Sequence, residues 1–182
     1  PEVMAKAFHI ARSGRPGPVH VELPRVSDYS EYILQEEPAM APAYRPIAPV
    51  VAAPDGADVE RFAARLLAAK APVIVAGKGI HRQGALRELA ESAERLQAPV
   101  VFSQDTIGVI AEDHPFSAGH FGGIQPHPLC GAVLKRADLL VCIGTRMATA
   151  EMTALTELAG DKPWILVAYD DAPDGGYQVG DQ

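Results

Sequence analysis

The 182-residue chain has only two cysteines, Cys130 and Cys142, and neither lies in a CxxC or Cys/His spacing. That scarcity argues against a disulfide scaffold or a structural zinc site and fits a reducing, cytoplasmic setting. No apolar run approaches the roughly 20 residues that a membrane-spanning helix needs. The formal charge is −7 and the chain has no run of Lys or Arg, which argues against a phosphate-tracking surface. We therefore expect neither membrane nor nucleic acid as a partner.

The composition that is present, 48% hydrophobic and 21% charged, is typical of a globular chain of one domain or a little more. The chain begins at Pro1 and enters a helical pattern at once, with no targeting leader. We expect a segment of a longer protein.

The chain divides into four parts by its composition and hydrophobic pattern. Residues 1–25 hold one predicted helix (2–13) and one predicted strand (19–23). Residues 26–54 are rich in proline and low in apolar periodicity, as in an interdomain linker. Residues 55–175 form the main predicted domain, and residues 176–182 a tail.

Helices and apolar strands alternate through the main domain. Helices are predicted over 55–70, behind an Asp55 or Asp58 cap, and over 84–97, 129–136 and 150–158. Apolar strands follow at 72–77, 99–103, 138–143 and 164–168, and the Gly/His/Pro-rich segment 108–128 interrupts the rhythm. Four such strands separated by helices predict an α/β fold, a Rossmann-like doubly wound, mostly parallel sheet with helices on both faces.

In such a sheet the ligand crevice lies beyond the carboxyl ends of the strands, here 76–80, 103–108, 143–147 and 168–174. Gly77 and Gly79 could let a phosphate approach the backbone, or could simply make a tight turn. Gly144 and Arg146 could bind a pyrophosphate, or could serve helix entry and surface ion pairing. Asp170 could accept a hydrogen bond from a ribose hydroxyl, or could belong to a solvated acidic turn.

Other chemistry finds little support in the sequence. His114, His120 and His127 lie in one segment, but their spacings match no common metal-binding pattern. No GxSxG motif is present, and Cys142 falls inside a predicted buried strand. We therefore assign no metal ligand and no catalytic residue.

Five strings in register resemble the thiamine-diphosphate-dependent enzymes of the acetolactate synthase, pyruvate oxidase and benzoylformate decarboxylase group. They are RSGRPGPVHVELP (12–24), APVIVAGKGI (71–80), APVVFSQDTIGVIAEDHPFSAGHFG (98–122), RADLLVCIGTRM (136–147) and WILVAYDD (164–171). The resemblance identifies residues 1–25 with the end of the pyrimidine-binding domain and residues 55–175 with the central, Rossmann-like domain.

The resemblance also implies where the chemistry of a parent enzyme lies. Family members activate thiamine diphosphate with a glutamate early in the pyrimidine-binding domain and hold magnesium and diphosphate with a GDG…N motif in a third domain. Neither element occurs in these 182 residues. We therefore expect the segment to be catalytically silent alone, with the missing domains and further copies of the parent chain as its partners.

In this family the central domain binds FAD, binds an ADP group, or binds nothing and serves as a spacer. The resemblance places nucleotide contacts at Gly77, Gly79, Gly119 and Arg146. Flavin-binding members usually follow that arginine with an acidic pair and another arginine, whereas Met147 follows it here. Some members have an Asp-x-Asp motif after the last strand. If Asp170 is the second aspartate of that motif, Ala168 stands in the place of the first. We expect a vestigial cleft rather than tight FAD binding.

Two alternatives from other classes stay open at this point. One is a stand-alone nucleotide-binding or sensory module on a Rossmann-like fold, although such a module has no need of the helix and strand that precede the linker. The other is an NAD-dependent oxidoreductase domain, against which the incomplete GxGxxG counts, since Arg82 stands at its last position.

Overall fold

The computed structural model describes residues 2–12, 17–22, 54–123, 125–147, 149–169 and 177–181. Almost all of the predicted linker, and Asp170, lie outside these described residues. The chain divides into two units, one with residues 1–51 and 171–175 and the other with residues 52–170 and 176–182. Each is described by itself.

The described part of the smaller unit contains one helix. Helix α1 (Glu2–Arg12) agrees with the predicted helix, and Val3, Phe8 and Ile10 on it are at least half exposed. The predicted strand is wrong as far as it is described, because residues 17–22 lie in no strand. Alternating Val and polar residues favour a strand only where another strand lies alongside to pair with, and no described strand pairs with these residues.

The larger unit alternates helices and strands along the chain. It comprises α2 (Gly56–Ala68), β1 (Pro72–Ala76), α3 (Lys78–Gln83), α4 (Leu86–Leu96), β2 (Val100–Ser103), β3 (Ser117–Phe121), α5 (Pro128–Arg136), β4 (Leu139–Ile143), α6 (Thr149–Ala159), β5 (Trp164–Tyr169) and β6 (Tyr177–Asp181). Helix α2 begins behind Asp55, whose carboxylate accepts a hydrogen bond from the Ala57 amide, so Asp55 and not Asp58 is the cap.

The described strands form one sheet in the order β3-β2-β1-β4-β5-β6. The first five are parallel, and β6 runs antiparallel to β5. This is the strand order of the Rossmann class with one reversed edge strand, which confirms the predicted α/β fold.

Alternate residues of each central strand serve two separate cores. Ile74 and Ala76 of β1 belong to one buried cluster, and Val73 and Val75 belong to the other. Helices α2 and α4 cover the first face, and α5 and α6 cover the second. The helices therefore lie on both faces, because period-two alternation sends neighbouring side chains to opposite sides of the sheet.

Two strands of the sheet differ from the sequence-based prediction of four. β3 lies inside the segment 108–128 that interrupts the predicted alternation, and β6 lies inside the predicted tail. The SAGHF sequence of β3 lacks an apolar run, and Gly119 adopts a φ of +84° within it. Such a strand gives no clear signal from composition.

Candidate functional site

The carboxyl ends of β1 and β4 form the point where the sheet order reverses. From β1 the chain continues to β2 on one side, and from β4 it continues to β5 on the other. Loops that leave adjacent strands in opposite directions open a crevice between them, where open α/β sheets bind ligands. The connection after β1 begins with Gly77 and continues into the first turn of α3, which holds Gly79, and the connection after β4 begins with Gly144 and Arg146. We call these two connections the β1 loop and the β4 loop.

Backbone hydrogen bonds tie these two loops together. The Gly77 amide donates to the Ile143 carbonyl at 2.9 Å, and the Gly79 amide donates to the Gly144 carbonyl at 2.8 Å. The Gly144 amide donates to the Val167 carbonyl of β5 at 2.7 Å. All three amides are therefore engaged within the protein and are not available to a phosphate in this conformation.

The close approach of the loops requires glycine on both sides. A Cβ at Gly77 would lie 2.5 Å from the Gly144 carbonyl oxygen, and one at Gly79 would lie 2.7 Å from the Gly144 Cα. Gly144 has a φ of +65°, and a Cβ there would lie 2.9 Å from the Ile80 nitrogen. We call Gly77, Gly79 and Gly144 the glycine clasp. The space that each missing Cβ leaves is filled by the opposite loop rather than open to a ligand.

Beyond the clasp, the β4 loop is ordered by a buried hydroxyl. Thr145 Oγ1 donates to Glu151 Oε2 at 2.9 Å and accepts from the Met147 amide at 3.2 Å. Arg146, between them, has an exposed side chain.

Burial, together with the nearby Glu151 carboxylate, raises the pKa of the Cys142 thiol to about 12. Cys142 is thus a neutral core residue rather than a nucleophile.

An ion pair connects the ends of β1 and β2. Lys78 Nζ lies 2.5 Å from Asp105 Oδ2, and Ser103 Oγ donates to Asp105 Oδ1 at 2.5 Å. The hydrogen bond from Lys78, and then the one from Ser103, hold the pKa of Asp105 below its ordinary value. The sequence predicts a strand end at 103–108 but does not single out Asp105, because nothing local marks it as the partner of a distant lysine.

Gly119 lies apart from the clasp. It belongs to β3 rather than to a loop, and β2 separates that strand from β1. A Cβ at Gly119 would lie 2.5 Å from the His127 Cβ. His127 in turn caps α5 by accepting the Leu129 amide at 3.3 Å. In this structure Gly119 makes room for His127, and its nucleotide contact stays a prediction.

The structure gives the three histidines different partners. His114 Nε2 lies 3.3 Å from Glu94 Oε1, and its Nδ1 accepts the Phe116 amide at 3.2 Å. His120 Nε2 lies 3.2 Å from the Gln125 carbonyl oxygen. Within the described ranges, no group of three or more His, Cys, Asp or Glu side chains could hold a metal ion. Nor does any helix in the described part of the chain have the length and apolarity to cross a bilayer.

The chain belongs to the family described as "Thiamine pyrophosphate enzyme, central domain", which it matches over residues 59–175. It is 36% identical over 151 residues to acetolactate synthase isozyme 1 large subunit of Escherichia coli K12, covering 80% of this chain and 25% of that protein. It is 36% identical over 148 residues to glyoxylate carboligase of Escherichia coli O157:H7, covering 81% and 24%.

A solved structure agrees with these sequence comparisons. It is described as a putative thiamin diphosphate-dependent enzyme isolated from Mycobacterium smegmatis, with a TM-score of 0.58 and 30% identity over 80% of this chain and 26% of that one. The predicted resemblance to the central domain of thiamine-diphosphate-dependent enzymes is therefore confirmed. The chain spans about a quarter of the length of the curated relatives it matches.

Proposed function

We propose that this chain is the non-catalytic central domain of a thiamine-diphosphate-dependent enzyme that decarboxylates or joins 2-oxo acids. Its role there is structural, as a spacer and assembly surface, and its nucleotide cleft is vestigial. Thiamine diphosphate and magnesium belong to parts of the parent enzyme outside these 182 residues. The glycine clasp is the observation that carries the vestigial assignment.

The clasp supports a vestigial cleft through its hydrogen bonds. A dinucleotide needs free backbone amides near its pyrophosphate, whereas the amides of Gly77, Gly79 and Gly144 donate to carbonyls of the protein. The clasp therefore offers none of these three amides to FAD or ADP, which supports a vestigial cleft. Of the two cations beside the clasp, Arg146 is exposed and Lys78 is engaged by Asp105, which leaves too little binding energy to hold a dinucleotide.

The partners we propose are the pyrimidine-binding and diphosphate-binding domains of the parent chain, together with further copies of it. The matched part of this chain covers only about a quarter of each relative, which supports additional domains. Exposed apolar side chains on α1, Val3, Phe8 and Ile10, support a covered surface in the assembly.

Two measurements test the proposal. The first is the sequence of the parent reading frame: an upstream glutamate in a pyrimidine-type domain and a downstream GDG…N support it, and a frame that holds this segment alone contradicts it. The second is titration of the 182-residue chain with FAD and with ADP. We expect dissociation constants weaker than about 1 mM, that is, less than about 4 kcal/mol of binding.

Micromolar binding of either nucleotide would favour the alternative function, a stand-alone nucleotide-binding or sensory module. Turnover of a 2-oxo acid by the isolated chain with thiamine diphosphate and magnesium would contradict the non-catalytic role.

A further inference from the structure

The ion pair between Lys78 and Asp105 lies beside the clasp. Lys78 stands between Gly77 and Gly79, so its ammonium places a positive charge directly beside the clasp. In this structure the ammonium lies 2.5 Å from a carboxylate oxygen of Asp105. Both side chains are about half exposed, at 52% and 58%, and a dissolved anion can therefore reach them.

The Asp105 carboxylate is held in place by hydrogen bonds from neighbouring hydroxyl groups. Its Oδ1 accepts the Ser103 hydroxyl, and the Ser103 hydroxyl lies 2.7 Å from that of Thr106. Ser103 and Thr106 are both buried. A carboxylate fixed through buried hydroxyls loses less side-chain entropy on pairing than a free one, so its contact with Lys78 is pre-organised.

We propose that Asp105 is a specificity-determining residue of the cleft, an internal counter-ion that disfavours ligands bearing phosphate. A phosphate that approaches Lys78 must displace Asp105 and then lie next to its negative charge. Both effects weaken anion binding because the Asp105 carboxylate competes for Lys78 and repels a second negative charge. This inference rests on the proposed function, in which the cleft binds nucleotides weakly, and gives one reason for the weakness.

The place of Asp105 in the fold also suggests an alternative role for its carboxylate. An acid just beyond the second strand of a dinucleotide-binding fold can accept hydrogen bonds from ribose hydroxyls. Here, however, Oδ2 is engaged by Lys78 and Oδ1 by Ser103. The existing contacts therefore favour the counter-ion role, and an experiment separates the two.

The test follows backbone amide NMR shifts of the 182-residue chain during titration with ADP and, separately, with uncharged adenosine. Asp105→Asn should bind ADP about tenfold more tightly than wild type, the factor that one hydrogen bond to a charged group supplies. Adenosine affinity should not change. The ADP gain should shrink in high salt, since it depends on an exposed charge.

Two further variants control the experiment. Lys78→Met combined with Asp105→Asn should lose the gain, because the freed cation is then absent. Glu112→Gln, which removes a carboxylate from an exposed position elsewhere, should leave ADP affinity as in wild type and so excludes a general effect of net charge. Thermal unfolding of each variant verifies that it is folded.

Three results overturn the inference: unchanged ADP affinity in Asp105→Asn, weaker binding of both ADP and adenosine, or a gain that survives the loss of Lys78. These differ from failure of the proposed function, which is tight nucleotide binding by the wild-type chain itself.

Discussion

The amide of Gly79 donates a 2.8 Å hydrogen bond to the carbonyl oxygen of Gly144 and so ties the loop after β1 to the loop after β4. In a fold of this class these loops usually flank a ligand crevice. Here they contact each other through backbone atoms. We therefore expect the clasp to contribute to the free energy of unfolding, which substitutions can measure.

Substitution of Gly144 by alanine should destabilise the chain strongly. The new Cβ would lie 2.9 Å from the Ile80 nitrogen, at a φ of +65°. We expect a loss of about 2–4 kcal/mol in the free energy of unfolding, from backbone strain plus overpacking, measured by urea denaturation.

Gly84→Ala is the matched control for that experiment. Gly84 has nearly the same φ, +66°, but a Cβ there would meet nothing within 4 Å. The variant should lose about 1 kcal/mol in the free energy of unfolding, which is the conformational cost alone. Equal losses at the two positions would show that the contact between the loops contributes nothing.

Helix α2 offers a test of its cap. Asp55→Ala removes the acceptor for the Ala57 amide and should cost about 1 kcal/mol of stability. Asp58→Ala removes an ion pair with Arg61 and the negative charge in the first turn of the helix, and should cost less, about 0.5 kcal/mol. Urea denaturation of the two variants side by side measures the difference, and a larger loss at Asp58 would contradict the capping assignment.

The elements that the sequence predicted are those with a local signal. β1, β2, β4 and β5 are apolar runs, and Asp55 stands directly before an amphipathic stretch. β3 and β6 are edge strands with polar and glycine residues, and only pairing with a neighbour makes them strands.

In the candidate site, too, only the features with a local sequence signal could be predicted. Gly77, Gly79 and Gly144 could be named because glycine after a strand marks a tight backbone path, but what fills that space depends on a loop far along the chain. The Lys78 and Asp105 pair likewise joins two strand ends that only the sheet order brings together.

The two cysteines should be unreactive in the folded chain. Burial raises the pKa of the Cys130 thiol to about 12, and burial with the Glu151 carboxylate does the same for Cys142. The reactive thiolate is therefore scarce at pH 8, and the side chains are inaccessible as well. Mass spectrometry after iodoacetamide treatment should show no labelling in buffer and two labels in urea. Rapid labelling of the folded chain would contradict the buried placement.

Asp138 should make stability depend on pH. Its carboxylate accepts the amides of Lys70 at 2.7 Å and Ala71 at 2.9 Å, which joins the start of β1 to the start of β4. These two hydrogen bonds, that from Lys70 foremost, hold the pKa of Asp138 below its ordinary value. The stabilisation by the ionised Asp138 carboxylate is therefore complete above the unfolded-state pKa of about 4. It is lost as the pH falls through the lower folded-state pKa.

Asp138→Asn should accordingly lower the free energy of unfolding at pH 7 by about 0.5 kcal/mol, because it weakens hydrogen bonds to a charged acceptor that solvent already screens. The difference from wild type should narrow as the pH falls from 5 toward about 2, the range in which such a carboxylate gains its proton. Asp161→Asn, at an exposed position after α6, serves as the matched control and should change stability little at either pH. Urea denaturation across this pH range measures both, and a constant difference between Asp138→Asn and wild type would show that the charge of Asp138 does not stabilise the junction.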